Sequence, residues 1–286
     1  MPEGDTIFRA ARTLHRALAG QPVTGFDTGL AHLAVVHQNA PITGRTVQRV
    51  YARGKHLLVE LSGGLTLRTH MRMSGSWHVY RPGEKWRRPA AAARIVVATP
   101  AYVAVGFDVP VAEFVDEGSL QTDPVLAALG PDLLQEPFGV AEAVRRLRVS
   151  TQATLAEALL DQGAVAGIGN VFKSEILFVR RLWPFLAPGA LDVPGWEALI
   201  AEARRQLRAN VVDHAAAGFV TSTGQRRTTG RLNPAERLWV YGRMGRPCRR
   251  CGTRIEMRRQ GVLNRSTYYC PRCQRAPSES TSTPEG

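Results

Sequence analysis

The chain has 286 residues, 44% of them apolar, which is enough to bury a sizeable core across about two domains. Lysine and arginine number 37 against 24 acidic residues, a formal charge of +13 that points to a polyanionic partner, nucleic acid first. No run is apolar and long enough for a membrane span, and the opening Met-Pro-Glu-Gly-Asp is acidic where a signal peptide is basic. This reads as a cytoplasmic protein with no membrane partner.

In chain order, Ile7, Ala11, Leu14 and Leu18 recur at helical spacing, with Asp5 or Thr6 placed to cap, so an amphipathic helix is predicted over 5–18. From Pro22 to Phe114 the pattern changes to short β-branched runs at 46–52, 56–61, 65–71, 95–99 and 102–107. Ser62-Gly63-Gly64 and Arg81-Pro82-Gly83 separate them as turns, the signature of antiparallel sheets in a sandwich or barrel. A connector around 123–131 leads to predicted helices at 139–148, 152–161, 170–179 and 194–213. The Thr/Gly/Arg-rich stretch 218–234 reads as a mobile basic loop, and 276–286 as a disordered tail. Trp77, Trp183 and Trp239 read as packing residues.

Between Arg237 and Arg275 lie eleven arginines and one acid, Glu256, so the charge is concentrated. The same stretch holds Cys248-Arg249-Arg250-Cys251 and Cys270-Pro271-Arg272-Cys273. In a reducing compartment these two pairs, eighteen residues apart, predict one tetrahedral zinc held by two knuckles and a β-hairpin. Four thiolates fill the coordination sphere, so the metal is structural. Arg265, in the returning strand, is the residue best placed to meet a duplex.

Pro2 follows Met1 and becomes a free secondary amine once methionine is removed. A terminal amine titrates near pH ~8, so an appreciable fraction is nucleophilic at neutral pH. Glu3 beside it is a candidate acid and base.

Met-Pro-Glu-Gly-Asp-Thr at 1–6, Arg53-Gly54-Lys55, Gly167-Ile168-Gly169-Asn170 and the finger from Arg265 to Gln274 occur together, in order. In this the sequence resembles the formamidopyrimidine-DNA glycosylase and endonuclease VIII family, from Pro2 to Gln274. The resemblance implies a base-excision-repair glycosylase with AP lyase activity acting on damaged DNA. Pro2 would be its Schiff-base nucleophile and Glu3 its proton shuttle. Lys55 would contact phosphate beside the lesion, and Asn170, in a helix-two-turns-helix motif, would bind the phosphodiester. Arg265 would contact phosphates flanking the extruded nucleotide. Glu175 is either a residue that orients Pro2, as the family suggests, or a helix-surface carboxylate paired with Lys173 or Arg180. His70 is either a phosphate contact or a satisfied core histidine.

Departures from the family pattern bear on the substrate. Met73 matches the methionine with which the 8-oxoguanine branch fills the gap left by a flipped base. The loop Phe107 to Phe114, where that branch supplies an arginine, has an aromatic but no arginine. Thr6 stands where the family carries a glutamate. The chain therefore looks closer to the endonuclease VIII branch, with oxidised pyrimidines as substrates and 8-oxoguanine or formamidopyrimidine as the alternative.

The expected fold is α+β: an N-terminal antiparallel β-sandwich with an opening helix (1–120), a helical helix-two-turns-helix domain (121–236), a four-cysteine finger (237–275) and a tail (276–286). A monomer with no small-molecule redox cofactor is expected. The rivals are a non-catalytic damaged-DNA-binding protein of the same fold and an RNA-binding zinc-ribbon protein. The second leaves the N-terminus and Gly167 to Asn170 unexplained.

Overall fold

The computed structural model describes residues 2–211, 226–231 and 233–277. It forms two compact units: residues up to 138 with 207–211, and 139–206 with the described residues beyond 225.

The first unit opens with helix α1 (Gly4–Leu18), whose buried face carries Ile7, Ala10, Ala11, Leu14, Ala17 and Leu18 at three- and four-residue spacing. The chain continues through β1 (Gly25–Thr28), α2 (Ala31–Asn39), β2 (Val47–Arg53), β3 (His56–Leu61), β4 (Leu65–His70), β5 (Ser76–Tyr80), β6 (Ala93–Ala98), β7 (Val103–Phe107) and β8 (Val111–Asp116). Two short helices, α3 (Glu117–Thr122) and α4 (Pro124–Ala127), follow. The strands form two antiparallel four-stranded sheets, ordered β2-β3-β4-β8 and β1-β6-β7-β5.

Val50, Leu57, Val59 and Leu67 from one sheet and Trp77, Ile95, Val97 and Ala104 from the other share one buried cluster with α1, so the sheets pack face to face as a sandwich. Tyr80, Val105 and Phe107 form a smaller cluster with Trp86. The expected strands are present to within about two residues. Elements β1, α2, β5 and β8 are additions: α2 buries only Leu33, so its residues show no apolar stripe.

The second unit contains α5 (Val140–Arg148), α6 (Leu155–Ala158), α7 (Asn170–Val179), most of α8 (Val193–Ala209) and a hairpin of β9 (Glu256–Gln260) and β10 (Arg265–Tyr269). The helix expected over 152–161 shrinks to four residues, because Thr154 caps it by accepting the Glu157 N–H and the chain turns away after Ala158. Residues 212–213 of the helix expected over 194–213, most of the loop expected over 218–234, and 278–286 of the tail lie outside the described residues. Trp183 packs on Phe185 and Tyr269, and Trp239 on Phe178.

Candidate functional site

Pro2 is half-buried directly ahead of α1. Helix α1 starts one residue earlier than expected, and neither Asp5 nor Thr6 caps it. Glu3 takes the capping position with extended backbone (φ −125°, ψ −176°), its carbonyl accepting the N–H of Thr6 (2.9 Å) and Ile7 (3.1 Å). The whole of Glu3 is buried. Thr6 donates its hydroxyl to Asp5 at 3.2 Å, so the residue standing in for the family glutamate is engaged within its own helix.

Lys55 occupies the two-residue turn between β2 and β3, whose last pair is Arg53 with His56. Gly54, at φ 58°, supplies the left-handed conformation this tight turn needs at its first position. The Gly54 N–H donates to Asp132 at 2.6 Å and Gln135 donates to the Ala52 carbonyl at 3.2 Å, which fastens the tip that carries Lys55. His56 and His70 face each other across β3 and β4. Burial, helped by His70, Arg68 and Arg72, pushes His56 down to about 3; burial, helped by Arg72, Lys55 and Arg68, pushes His70 down to about 4. His70 is therefore neutral at physiological pH. Its Nδ1 accepts the Arg72 N–H at 3.0 Å, which leaves the proton on Nε2 as a donor.

After His70 the chain makes a tight loop, with Arg72 at φ 47° and the Gly75 N–H on the Met71 carbonyl at 2.8 Å. Met71 is buried, whereas Met73 at the apex is 66% exposed. The segment Phe107 to Phe114 is not a free loop. It runs from the end of β7 through a three-residue link, 108–110, into β8, with Asp108 at φ 46° ion-paired to Arg88. Phe107 is fully buried and Phe114 packs against Phe26 at 5.6 Å, so neither aromatic is presented outward.

In the second unit, Gly167 (φ 109°) makes the turn ahead of α7. Gln162 clamps that turn, accepting the Gly167 N–H (3.1 Å) and donating to the Ile168 carbonyl (3.1 Å). Gly169 is the capping residue. Asn170 is the first helical residue, 6% exposed, and its Nδ2 donates to Ser266 Oγ at 3.0 Å. Ser266 follows Arg265 in β10, so Asn170 is tied to the strand that carries Arg265, one residue along from it.

Glu175 is not a helix-surface carboxylate. It is fully buried, and its two oxygens accept the N–H groups of Trp239 (2.8 Å), Val240 (2.9 Å) and Tyr241 (2.8 Å) and the Thr228 hydroxyl. Burial pushes this carboxyl above its ordinary value against those four hydrogen bonds.

The sulfurs of Cys248, Cys251, Cys270 and Cys273 lie within 4.8 Å of one another, three of the separations being 3.5, 3.5 and 3.9 Å. Tetrahedral zinc with thiolates at about 2.3 Å needs sulfur separations of roughly 3.8 Å, so the cluster fits one structural zinc.

The arginine-rich stretch is less of a free patch than its count suggests. Arg249 is spent on the carbonyls of Leu238 (3.0 Å) and Ala235 (2.6 Å), and Arg250 on those of Phe178 (2.9 Å) and Val179 (3.3 Å) at the end of α7. Arg258 lies over Trp183, Phe185 and Tyr269. Gln162, Thr228 and Ser266 were not legible as site residues, because their partners are 5 to 96 positions away in sequence.

Three stretches match described families: residues 1–109 the formamidopyrimidine-DNA glycosylase N-terminal domain, 129–220 its H2TH domain, and 245–276 the zinc finger found in FPG and IleRS. Over 97% of its length the chain is 42% identical to the "Probable endonuclease 8 2" of Streptomyces coelicolor, covering 95% of that protein. It is 38% identical over 96% of its length to the "DNA-(apurinic or apyrimidinic site) lyase Nei2" of Mycolicibacterium smegmatis, covering all of it. In fold it is similar to the Lactococcus lactis Fpg solved in complex with DNA containing an abasic site, with a TM-score of 0.78 at 22% identity over 96% of this chain and 100% of that one. The sandwich, the helical turn, the four-cysteine hairpin and these relatives together place the chain in the formamidopyrimidine-DNA glycosylase and endonuclease VIII family of DNA glycosylases and AP lyases, among its endonuclease 8-like members.

Proposed function

We propose that this protein excises oxidised pyrimidines from DNA and cleaves the resulting abasic site, using the secondary amine of Pro2 as nucleophile. The observation that carries this reading is the setting of Pro2 and Glu3 at the head of α1, Glu3 being wholly buried and fixed as the capping residue. Once Met1 is removed, the amine of Pro2 lies at the positive end of the helix dipole, which disfavours its protonated form.

The uncharged amine attacks C1′ of the damaged nucleotide. The bond from C1′ to the base breaks, its electron pair leaves with the base, and the base takes up a proton. Ring opening gives an iminium ion (a Schiff base with no N–H proton, N⁺=C1′) between Pro2 and the sugar, with Glu3 moving protons. β- and then δ-elimination expel the two flanking phosphates and leave a one-nucleotide gap.

Lys55 at the fastened hairpin tip, the Nε2–H of neutral His70, Asn170 and Arg265 supply phosphate contacts. Exposed Met73 fills the space vacated by the extruded nucleotide. Zinc holds the β9–β10 hairpin and takes no part in the chemistry. The preference for pyrimidines follows from the segment Phe107 to Phe114, which offers neither an arginine nor an outward aromatic to an estranged base. The protein works as a monomer in the bacterial cytosol, and among the described residues no helix is long and apolar enough to cross a membrane.

Matched duplexes carrying thymine glycol, dihydrouracil, 8-oxoguanine or an abasic site test this reading under single-turnover conditions. The pyrimidine lesions are expected to be cut faster, with borohydride trapping a covalent adduct on the abasic duplex. Faster excision of 8-oxoguanine opposite cytosine would overturn the preference. Absence of any trapped adduct would overturn the iminium ion.

A further inference from the structure

Helix α7 is buried at every position from Asn170 to Phe178, its charged residues included. Lys173, with no exposed surface, donates to Asn170 Oδ1 (2.7 Å), to the Ser266 carbonyl (2.9 Å) and to Thr267 Oγ1 (2.8 Å). An ammonium has three protons, and these three acceptors come from two separate elements, the first turn of α7 and strand β10. Beside it, the Tyr268 N–H donates to Ser174 Oγ at 3.3 Å. Burying an ammonium is costly, and an apolar side chain of similar length would serve packing alone. The lysine therefore points to a geometric task.

That task is visible in the amide of Asn170. With Oδ1 held by Lys173, Nδ2 must face Ser266 and keeps its second proton for another acceptor. The same ammonium fixes the register of Ser266 and Thr267 against α7, and Arg265 precedes them in the strand. We propose that Lys173 is a positioning residue that locks the Asn170 amide and the zinc-hairpin residue Arg265 into one preformed grip for a DNA phosphodiester. This rests on the reading that Asn170 and Arg265 bind phosphate. Lys173 itself touches neither the sugar nor the base. Its loss weakens DNA binding while leaving the chemistry of bound DNA intact.

The test is a mutant cycle read by the affinity of the full-length zinc-loaded protein for a duplex carrying a tetrahydrofuran abasic analogue. Lys173→Met is expected to weaken binding roughly tenfold or more in the otherwise unchanged chain, and by less than about threefold when Asn170→Ala and Arg265→Ala are already present. The single-turnover lyase rate at saturating DNA should stay within about threefold of the parent, and zinc content should be unchanged. If Lys173→Met loses zinc or its cooperative unfolding, Lys173→Gln and Ser266→Ala carry the same cycle. An equal loss in both backgrounds, or no loss in the parent, overturns the positioning role. If the Asn170→Ala, Arg265→Ala pair itself left affinity unchanged, the phosphate reading of those two residues would fall first, and the role of Lys173 with it.

Discussion

The rings of His56 and His70 meet edge to face on neighbouring strands, their centroids 4.9 Å apart and their planes at 70°. Both imidazoles are neutral in the fold, with pKa values pushed from 6.5 to about 3 and about 4, chiefly by burial. Arg68, Arg72 and Lys55 oppose their charging, while Asp123 favours it at His56. The unfolded chain takes up protons on these rings as pH falls through about 6.5, whereas the folded chain refuses them until about 4. The unfolded state thus binds more protons in that window, so stability falls as pH drops from about 6.5 to about 4 and levels off below about 3. Urea midpoints at pH 7.5, 6 and 5 should fall for the parent and fall less for His70→Gln. Parallel curves would contradict the account.

The loop that presents Met73 depends on Gly75. A Cβ there would sit 2.7 Å from the Met71 carbonyl oxygen and 2.9 Å from its Cα, both backbone atoms that cannot move aside cheaply. Gly75→Ala should therefore displace the loop and cost about 1–3 kcal/mol of stability. Met73→Ala, at an exposed position, should leave stability within about 0.5 kcal/mol while weakening binding to lesion duplexes. Thermal unfolding and duplex affinity measured on both variants separate the two effects.

Glu175 fixes the segment 239–241 through three backbone N–H groups. A glutamine amide presents N–H protons where those donors point. Glu175→Gln should cost about 2–4 kcal/mol through donors left unsatisfied in a buried place. Denaturant unfolding gives the value, and a cost under about 0.5 kcal/mol would contradict the burial described.

Much of this arrangement was legible in the sequence, and the part that was not has a physical reason. The Cys-x-x-Cys pairs carry their own ligand spacing, and Asn170 to Val179 follows a glycine turn, so both were found where the structure has them. Helix α2 was missed because it buries a single leucine. The short link at 108–110 between the two sheets reads as part of a longer loop because its left-handed conformation falls on Asp108, which gives a weaker signal than glycine. Glu175 and Lys173 looked like surface charges because nothing local marks a carboxylate or an ammonium whose partners lie about 53 to 94 positions further on.

The zinc site yields a separable pair of outcomes. Cys251→Ser, or strong chelation, should disorder the β9–β10 hairpin and abolish DNA binding. Arg265→Ala should keep zinc and fold, with a smaller salt dependence of affinity because one phosphate contact is lost. Metal content by mass and affinity across a salt series check both. An Arg265→Ala protein with unchanged affinity and salt slope would remove that residue from the interface.

The central claim is that the amine of Pro2 forms the covalent link to DNA. Borohydride trapping on an abasic duplex, followed by peptide mapping of the adduct, tests it directly. The account predicts that the modification maps to the N-terminal proline, that Pro2→Gly traps less, and that a protein retaining Met1 traps none. A cross-link mapped to Lys55 or another lysine, or undiminished trapping with Met1 in place, would contradict it.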